Sequence, residues 1–231
     1  MAGFRRALIV GAGNGLSAAL ARRFAAAGME VALAARGVEK LAALCAETGA
    51  VSFAADAAEP EEVAALFEAM DAAMGPADVV VYNASFRVRG PFETLDAAAV
   101  ARTLAVTAYG AFLVAQQAVR RMLPGGHGAV LLTGASAGVK GYPQSAPFAM
   151  GKFALRGLAQ SMARELSPKG IHVAHFVIDG GIRAGARAEP AEAPDSLLDP
   201  AAIAETYWHV LNQPRSAWSW EVELRPWVER F

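Results

Sequence analysis

The sequence predicts an α/β protein, a doubly wound parallel sheet of about seven strands with helices on both faces. Short β-branched or apolar runs alternate with longer Ala-rich segments of helical period, which is the sequence form of repeated β-α-β units. The chain of 231 residues is 55% hydrophobic and 19% charged, enough apolar material to bury a large core. No stretch rich in Pro, Gly or Ser divides it, so residues 1–231 are expected to form one domain.

Strands are expected near Ala7 to Val10, Glu30 to Ala34, Val51 to Ala54, Asp78 to Tyr82, Ala129 to Thr133, Ile171 to Ile178 and Val222 to Leu224. Helices fill most of the gaps, beginning with Leu16 to Ala27. The segment from Asp96 to Leu123 is long for a globular helix, and that from Phe148 to Ser167 carries apolar residues on more than one side. Two such helices suit pairing with a second subunit. Between Arg183 and Asp199 the period fades and Ala, Glu, Pro and Gly gather, which reads as a mobile surface segment rather than core.

A formal charge of -1 offers no broad cationic field for nucleic acid, and the pairs Arg5–Arg6 and Arg120–Arg121 lack interleaved aromatics. Small molecules or further copies of the chain are the expected partners. Glycines interrupt the N-terminal apolar run below signal-peptide or membrane-span length, so a cytoplasmic protein without membrane association is expected. The single cysteine, Cys45, sits in a helical stretch as a packing residue. His172 and His175 are three apart in a strand, so they point to opposite faces and predict no metal site. Trp208, Trp218, Trp220 and Trp227 gather near the C-terminus, either capping a pocket or packing a core or interface.

In a sheet of this kind, ligands gather at the carboxyl ends of the strands where the winding direction reverses. Gly11, Gly13 and Gly15 follow the first strand and precede the first helix. There the backbone can approach a pyrophosphate while helix N–H groups point at it; a glycine turn that only packs helix on strand is the alternative. The second strand ends Ala34-Ala35-Arg36, with no acid for ribose hydroxyls. Arg36 suits a ribose 2′-phosphate, which favours NADP(H) over NAD(H), unless it is simply a solvated arginine.

The order of these motifs resembles the short-chain dehydrogenase/reductase family across nearly the whole chain. Val10-Gly11-Ala12-Gly13-Asn14-Gly15-Leu16-Ser17 is similar to its Thr-Gly-x-x-x-Gly-x-Gly turn, with Val10 for Thr and Ser17 for the last Gly. The resemblance implies a Rossmann-type fold and a cofactor held by Gly11, Gly13, Asn14, Gly15 and Leu16. Asp56 matches the family's adenine-contacting acid. Asn83, in Tyr82-Asn83-Ala84-Ser85, matches its Asn-Asn-Ala-Gly segment, where fixing a loop is at least as good a reading as touching cofactor. Val177-Ile178-Asp179-Gly180-Gly181-Ile182 resembles the Pro-Gly segment near the nicotinamide, which implies cofactor contacts from Gly180 and Ile182; Asp179 stands for the Pro and is unexplained.

The family's Tyr-x-x-x-Lys signature reads Phe148-Ala149-Met150-Gly151-Lys152. Positions four apart share a helical face, so Phe148 and Lys152 should both face the nicotinamide end of the cleft. In the family the Lys holds the ribose and lowers the Tyr pKa, while the Tyr hydroxyl exchanges a proton with the substrate oxygen; a phenyl ring cannot. Lys152 remains a ribose ligand on this reading, against the alternative of a surface helix lysine. Alignment through Gly138 puts Ala135 at the usual Ser with Ser136 beside it, and alignment through Gly110 and Phe112 puts Thr107 at the usual Asn. Ser136, through a shifted loop, and Tyr142, just before the helix, are the remaining candidate hydroxyls; an ordinary turn serine and a lining tyrosine are the alternatives. The resemblance implies an oxidoreductase acting on a carbonyl or alcohol, as a homodimer or homotetramer, or a nucleotide-binding regulator of the same fold with little turnover.

Overall fold

The computed structural model describes residues 3–185 and 188–229. Seven strands form one sheet: β1 Arg6–Val10, β2 Glu30–Ala35, β3 Val51–Ala54, β4 Val79–Tyr82, β5 Gly128–Thr133, β6 Ile171–Ile178 and β7 Glu221–Leu224. Their order is β3-β2-β1-β4-β5-β6-β7 and every pairing is parallel. The chain winds outward from β1 to β3, then returns to place β4 on the other side of β1. The carboxyl ends of β1 and β4 therefore flank the point where the winding reverses, and a crevice opens there.

The central strands read as continuous runs of Val, Ile, Leu and Ala because helices cover both of their faces. On one face α1 (Leu16–Ala26), α2 (Ala42–Thr48) and α7 (Pro200–Leu211) bury Leu20, Phe24, Leu44, Ile203 and Tyr207 against Ile9, Leu33, Val81, Leu131 and Phe176. On the other, α3 (Pro60–Met74), α5 (Gly110–Met122) and α6 (Ala146–Leu166) bury Phe67, Met70, Val114 and Leu155 against Leu8, Val80, Leu132 and Val173. Burial of each such side chain stabilises the fold by roughly 1.5–3 kcal/mol, and with both faces apolar the strand register is fixed by how each set fits its own helix layer.

The long helix expected over 96–123 is divided. Asp96 caps α4 (Ala97–Leu104), its carboxylate accepting the Ala99 N–H at 2.8 Å, and a π turn over Ala105–Tyr109 leads into α5. Tyr82, buried on β4, donates its hydroxyl to the Val106 carbonyl, and Gly110 brings the helix against Tyr82 and the Ala57 carbonyl. The extra residue in the turn accommodates that approach.

The segment from Arg183 to Asp199 was expected to stay outside the core, and its end does not. Leu198 is buried in the α7-side core and its N–H donates to Gly181 O at 2.8 Å, while Arg183 N–H donates back to Leu198 O at 2.9 Å. This local pairing with the strand-like Ile182 gives the backbone its hydrogen bonds, so an apolar residue can be drawn inward. Ala186 and Arg187 lie outside the described residues.

Candidate active site

Gly11 follows β1 with φ +85°, where a Cβ would overlap the main chain of Ala84. Only glycine fits that conformation and that approach. Ser17 clamps the turn: its hydroxyl donates to Gly11 O at 3.0 Å and accepts from Asn83 Nδ2 at 2.8 Å, and Asn83 N–H donates to Val10 O at 2.8 Å. Ser17 thus does more than replace a small glycine, and Asn83 ties β4 to the turn. A Cβ on Gly13 would meet nothing within 4 Å, so the turn presents bare backbone to open space there. Gly15 caps α1, whose first N–H groups cannot be satisfied from within the helix. Leu16 sends its side chain into the core, so only its main chain is available to a ligand.

Two cavities adjoin at Asn83 and Ser85, at the carboxyl ends of the strands. The smaller, about 220 Å³, is lined by Gly11, Arg36, Lys40 and Asp56. The larger, about 570 Å³, is lined by Ser136, Tyr142, Phe148, Lys152, Gly180 and Ile182. Gly13, Asn14, Gly15 and Leu16 line neither. Burial alone would raise the Asp56 pKa, but the Ala58 N–H at 3.0 Å, Arg102 at 2.7 Å and nearby Arg36 together hold it below the usual range. Its carboxylate is therefore charged and already tied at both oxygens. Arg36 and Lys40 make the smaller cavity cationic despite it.

In the larger cavity, Lys152 is only 4% exposed, which excludes a surface helix lysine. Its ammonium donates to Thr133 O at 2.7 Å, and burial lowers its pKa to about 8. Phe148 lies one turn earlier on α6, its ring centroid 5.7 Å from Lys152 Nζ and 4.9 Å from the Arg87 guanidinium carbon. Ala135 and Ser136 line the same cavity in the turn after β5. Thr107 is wholly buried in the π turn, with the Phe86 N–H 3.5 Å from its hydroxyl.

Tyr142 is 40% exposed at the cavity wall, with Lys140 Nζ 5.7 Å from its ring centroid. Lys140 also lies 3.7 Å from Oδ2 of Asp179, whose carboxylate is buried, and Arg225 lies 3.9 Å from the same oxygen. Asp179 is thus a buried acid with two cations beside it, one residue beyond β6. Gly180 has φ +150°, and a Cβ there would crowd Leu198 and Pro226 at 2.9 Å, so packing alone accounts for this glycine. None of the four tryptophans lines either cavity. Trp208 packs on Phe24 and Trp218 on His172, whereas Trp227 is exposed.

No sequence motif gives His175 a role. It is fully buried on β6, with Nδ1 3.0 Å from Glu221 Oε2, and Glu221 receives both Arg156 nitrogens at 2.7 Å. Burial lowers the His175 pKa to about 4 against the opposing pull of Glu221, so the ring is neutral at pH 7. Its Nε2 is buried without a hydrogen-bond partner and lies against Gly134, a floor residue of the larger cavity. Alternation on β6 could place His175 on the α6 face, but its partner comes from β7 through the parallel register.

A glycine turn at the winding reversal, joined to a cleft that ends on a buried lysine, defines a nucleotide-binding protein of Rossmann type. The short chain dehydrogenase family matches residues 5–193, and the chain belongs to that family of NAD(P)-binding oxidoreductases. D-threitol dehydrogenase of Mycolicibacterium smegmatis is 34% identical over 172 residues, 72% of this chain and 66% of that protein, so the match spans about two thirds of that relative. A short-chain dehydrogenase from Rhodopseudomonas palustris has TM-score 0.84 and 36% identity, over 96% of this chain and 99% of the other. A metagenomic short-chain oxidoreductase in complex with NADP has TM-score 0.83 and 28% identity, over 96% and 97%.

Proposed function

We propose that the chain is an NADP(H)-dependent oxidoreductase that interconverts a carbonyl and an alcohol by a non-standard proton route. The observation that carries this reading is the pair of adjoining cavities, running from Gly11 and Arg36 at one end to Lys152 and Phe148 at the other. The residues fit the cofactor. Gly13 leaves room for a pyrophosphate, Arg36 and Lys40 offer charge to a 2′-phosphate, and Lys152 is a buried donor for ribose hydroxyls. Gly180 and Ile182 flank the nicotinamide end. When bound, the nicotinamide supplies or accepts hydride.

In the reducing direction the carbonyl carbon takes the hydride, its π bond to oxygen breaks, and the oxygen takes a proton. Phe148 stands where the family carries its tyrosine and has no proton to give. Tyr142 is the phenol of this cavity, and its exposure allows solvent to restore its proton. Lys140 beside it places a positive charge next to an oxygen that becomes negative as the proton leaves. Ser136, on the cavity wall, orients the substrate oxygen.

A second reading is a nucleotide-binding regulator with little turnover, favoured by the absence of a hydroxyl or amide at Phe148 and Ala135 and by the burial of Thr107. Mixing NADPH-loaded protein with a panel of aldehydes and ketones separates the two. Loss of the reduced-nicotinamide signal in a single turnover, abolished in Tyr142→Phe, is the expected result; no loss across the panel selects the regulator. NADPH should bind more tightly than NADH, with the preference lost in Arg36→Ala, and equal affinities would remove the 2′-phosphate assignment.

A further inference from the structure

Asp179 stands at the position of the family's Pro, and neither the cofactor contacts nor the proton route draws on it. Its N–H donates to Leu224 O at 2.8 Å, a bond that a proline could not make, and the next residue, Gly180, packs against Leu198 and Pro226. The main chain is thereby fixed on both sides. The side chain is buried yet lines the larger cavity. A buried carboxylate costs stability unless a cation answers it, and here Lys140 and Arg225 both do. Arg225 also meets Glu223 on β7, whereas Lys140 reaches the cavity through Tyr142.

Tyr142 needs such a tether. Residues 141–144 are exposed, and a Cβ on Gly141 would meet nothing within 4 Å, so packing does not fix the phenol ring. The turn before it is firm: Lys140 N–H donates to Ser136 O at 2.9 Å, and Gly138 lies close against the Lys152 main chain. From that turn the Lys140 ammonium meets the Tyr142 hydroxyl, the largest cause raising its pKa above the ordinary value, and the Asp179 charge adds to the rise. Lys140 does not line the cavity itself, so it supports the phenol from behind.

Resting on the oxidoreductase reading, we propose that Asp179 is a positioning residue for proton transfer: it holds the Lys140 ammonium against the Tyr142 hydroxyl and so keeps the phenol on the substrate oxygen. As hydride reaches the carbonyl carbon, the π pair moves to oxygen and that oxygen takes the Tyr142 proton. The electron pair of the broken O–H bond stays on the phenolate, beside Lys140, until solvent returns a proton. The carboxylate in place of Pro and the displaced phenol are then parts of one arrangement.

Two readouts test this. Labelling of the Lys140 amine by acetic anhydride at fixed pH, followed by mass spectrometry, needs no turnover. It should rise several-fold in Asp179→Asn, because a Lys pKa that falls back toward its ordinary value leaves more free amine. The second readout is single turnover of NADPH-loaded protein with the aldehyde or ketone of the panel that is consumed fastest. Asp179→Asn and Lys140→Met should each slow it about tenfold, the size of one charge-assisted contact, while NADPH affinity holds and Lys140→Arg recovers part of the loss. The double variant should be no slower than Lys140→Met, since Asp179 acts through Lys140. Lys140 is exposed, so its variants keep the test open if Asp179→Asn folds poorly. Unchanged labelling in Asp179→Asn, an undiminished rate in Lys140→Met, or additive losses in the double variant would each overturn the proposal and leave the redox reading intact. A labelling response without any NADPH consumption would sink the redox reading while supporting the hold of Asp179 on Lys140.

Discussion

Lys152 keeps an ammonium group where burial disfavours one. Its pKa is about 8 in the fold, below the ordinary 10.5. At pH 7 it is protonated in both folded and unfolded chains, so the desolvation cost is present in full. Between pH 8 and 10.5 the folded chain sheds the proton first, and stability from this group rises with pH. The shift corresponds to about 3 kcal/mol, partly offset by the bond to Thr133. Lys152→Met should therefore raise Tm by several degrees at pH 7, by less at pH 9.5, and should weaken NADPH binding; calorimetry at both pH values checks the first two. A drop in Tm at pH 7 would mean that the bond to Thr133 outweighs desolvation. His175 acts with the same sign in a lower window, its contribution falling as pH drops from 6.5 toward 4. The spacing of Phe148 and Lys152 was legible because a helix repeats locally. The trio His175, Glu221 and Arg156 was not, because its members meet across separate elements.

The division of the long helix at Ala105–Tyr109 is a property of packing between elements. Nothing in the local apolar period marks a π turn, whose cause is Tyr82 on a strand 24 positions away. Gly110 is the contact point: a Cβ there would lie 2.5 Å from the Ala57 carbonyl oxygen and the Tyr82 hydroxyl. Gly110→Ala should destabilise the protein by about 1–3 kcal/mol despite the better helix propensity of alanine. A lower midpoint in urea is the expected outcome; a gain would mean that the helix can retreat without loss. Because the π turn that Gly110 follows puts Val106 on the wall of the smaller cavity, the same substitution should also loosen NADPH binding.

One face of the helical layer is unlike the rest of the surface. The run 97–125 is long and apolar enough to cross a membrane by length and composition, yet Ala111, Val114, Ala115 and Ala118 pack it onto the sheet. Its other side leaves Tyr109 and Phe112 exposed, and α6 leaves Met150 and Phe153 exposed. An isologous pairing with a second copy would cover such a patch. Light scattering should give a multiple of the 24.0 kDa chain mass, reduced toward the monomer by Tyr109→Glu/Phe153→Glu. A monomer for the unaltered protein would rule the pairing out.

Periodicity and turn chemistry were enough to read seven strands, the helices between them, the glycine turn and the spacing of Phe148 and Lys152, because each is written in residues close along the chain. The burial of Lys152, the cations beside Phe148, the setting of Asp179 beside Lys140 and Arg225, and the inward return of Leu198 came from the folded arrangement alone. Those features are meetings between side chains far apart in sequence, and parallel strand register and helix packing, rather than local pattern, bring them together.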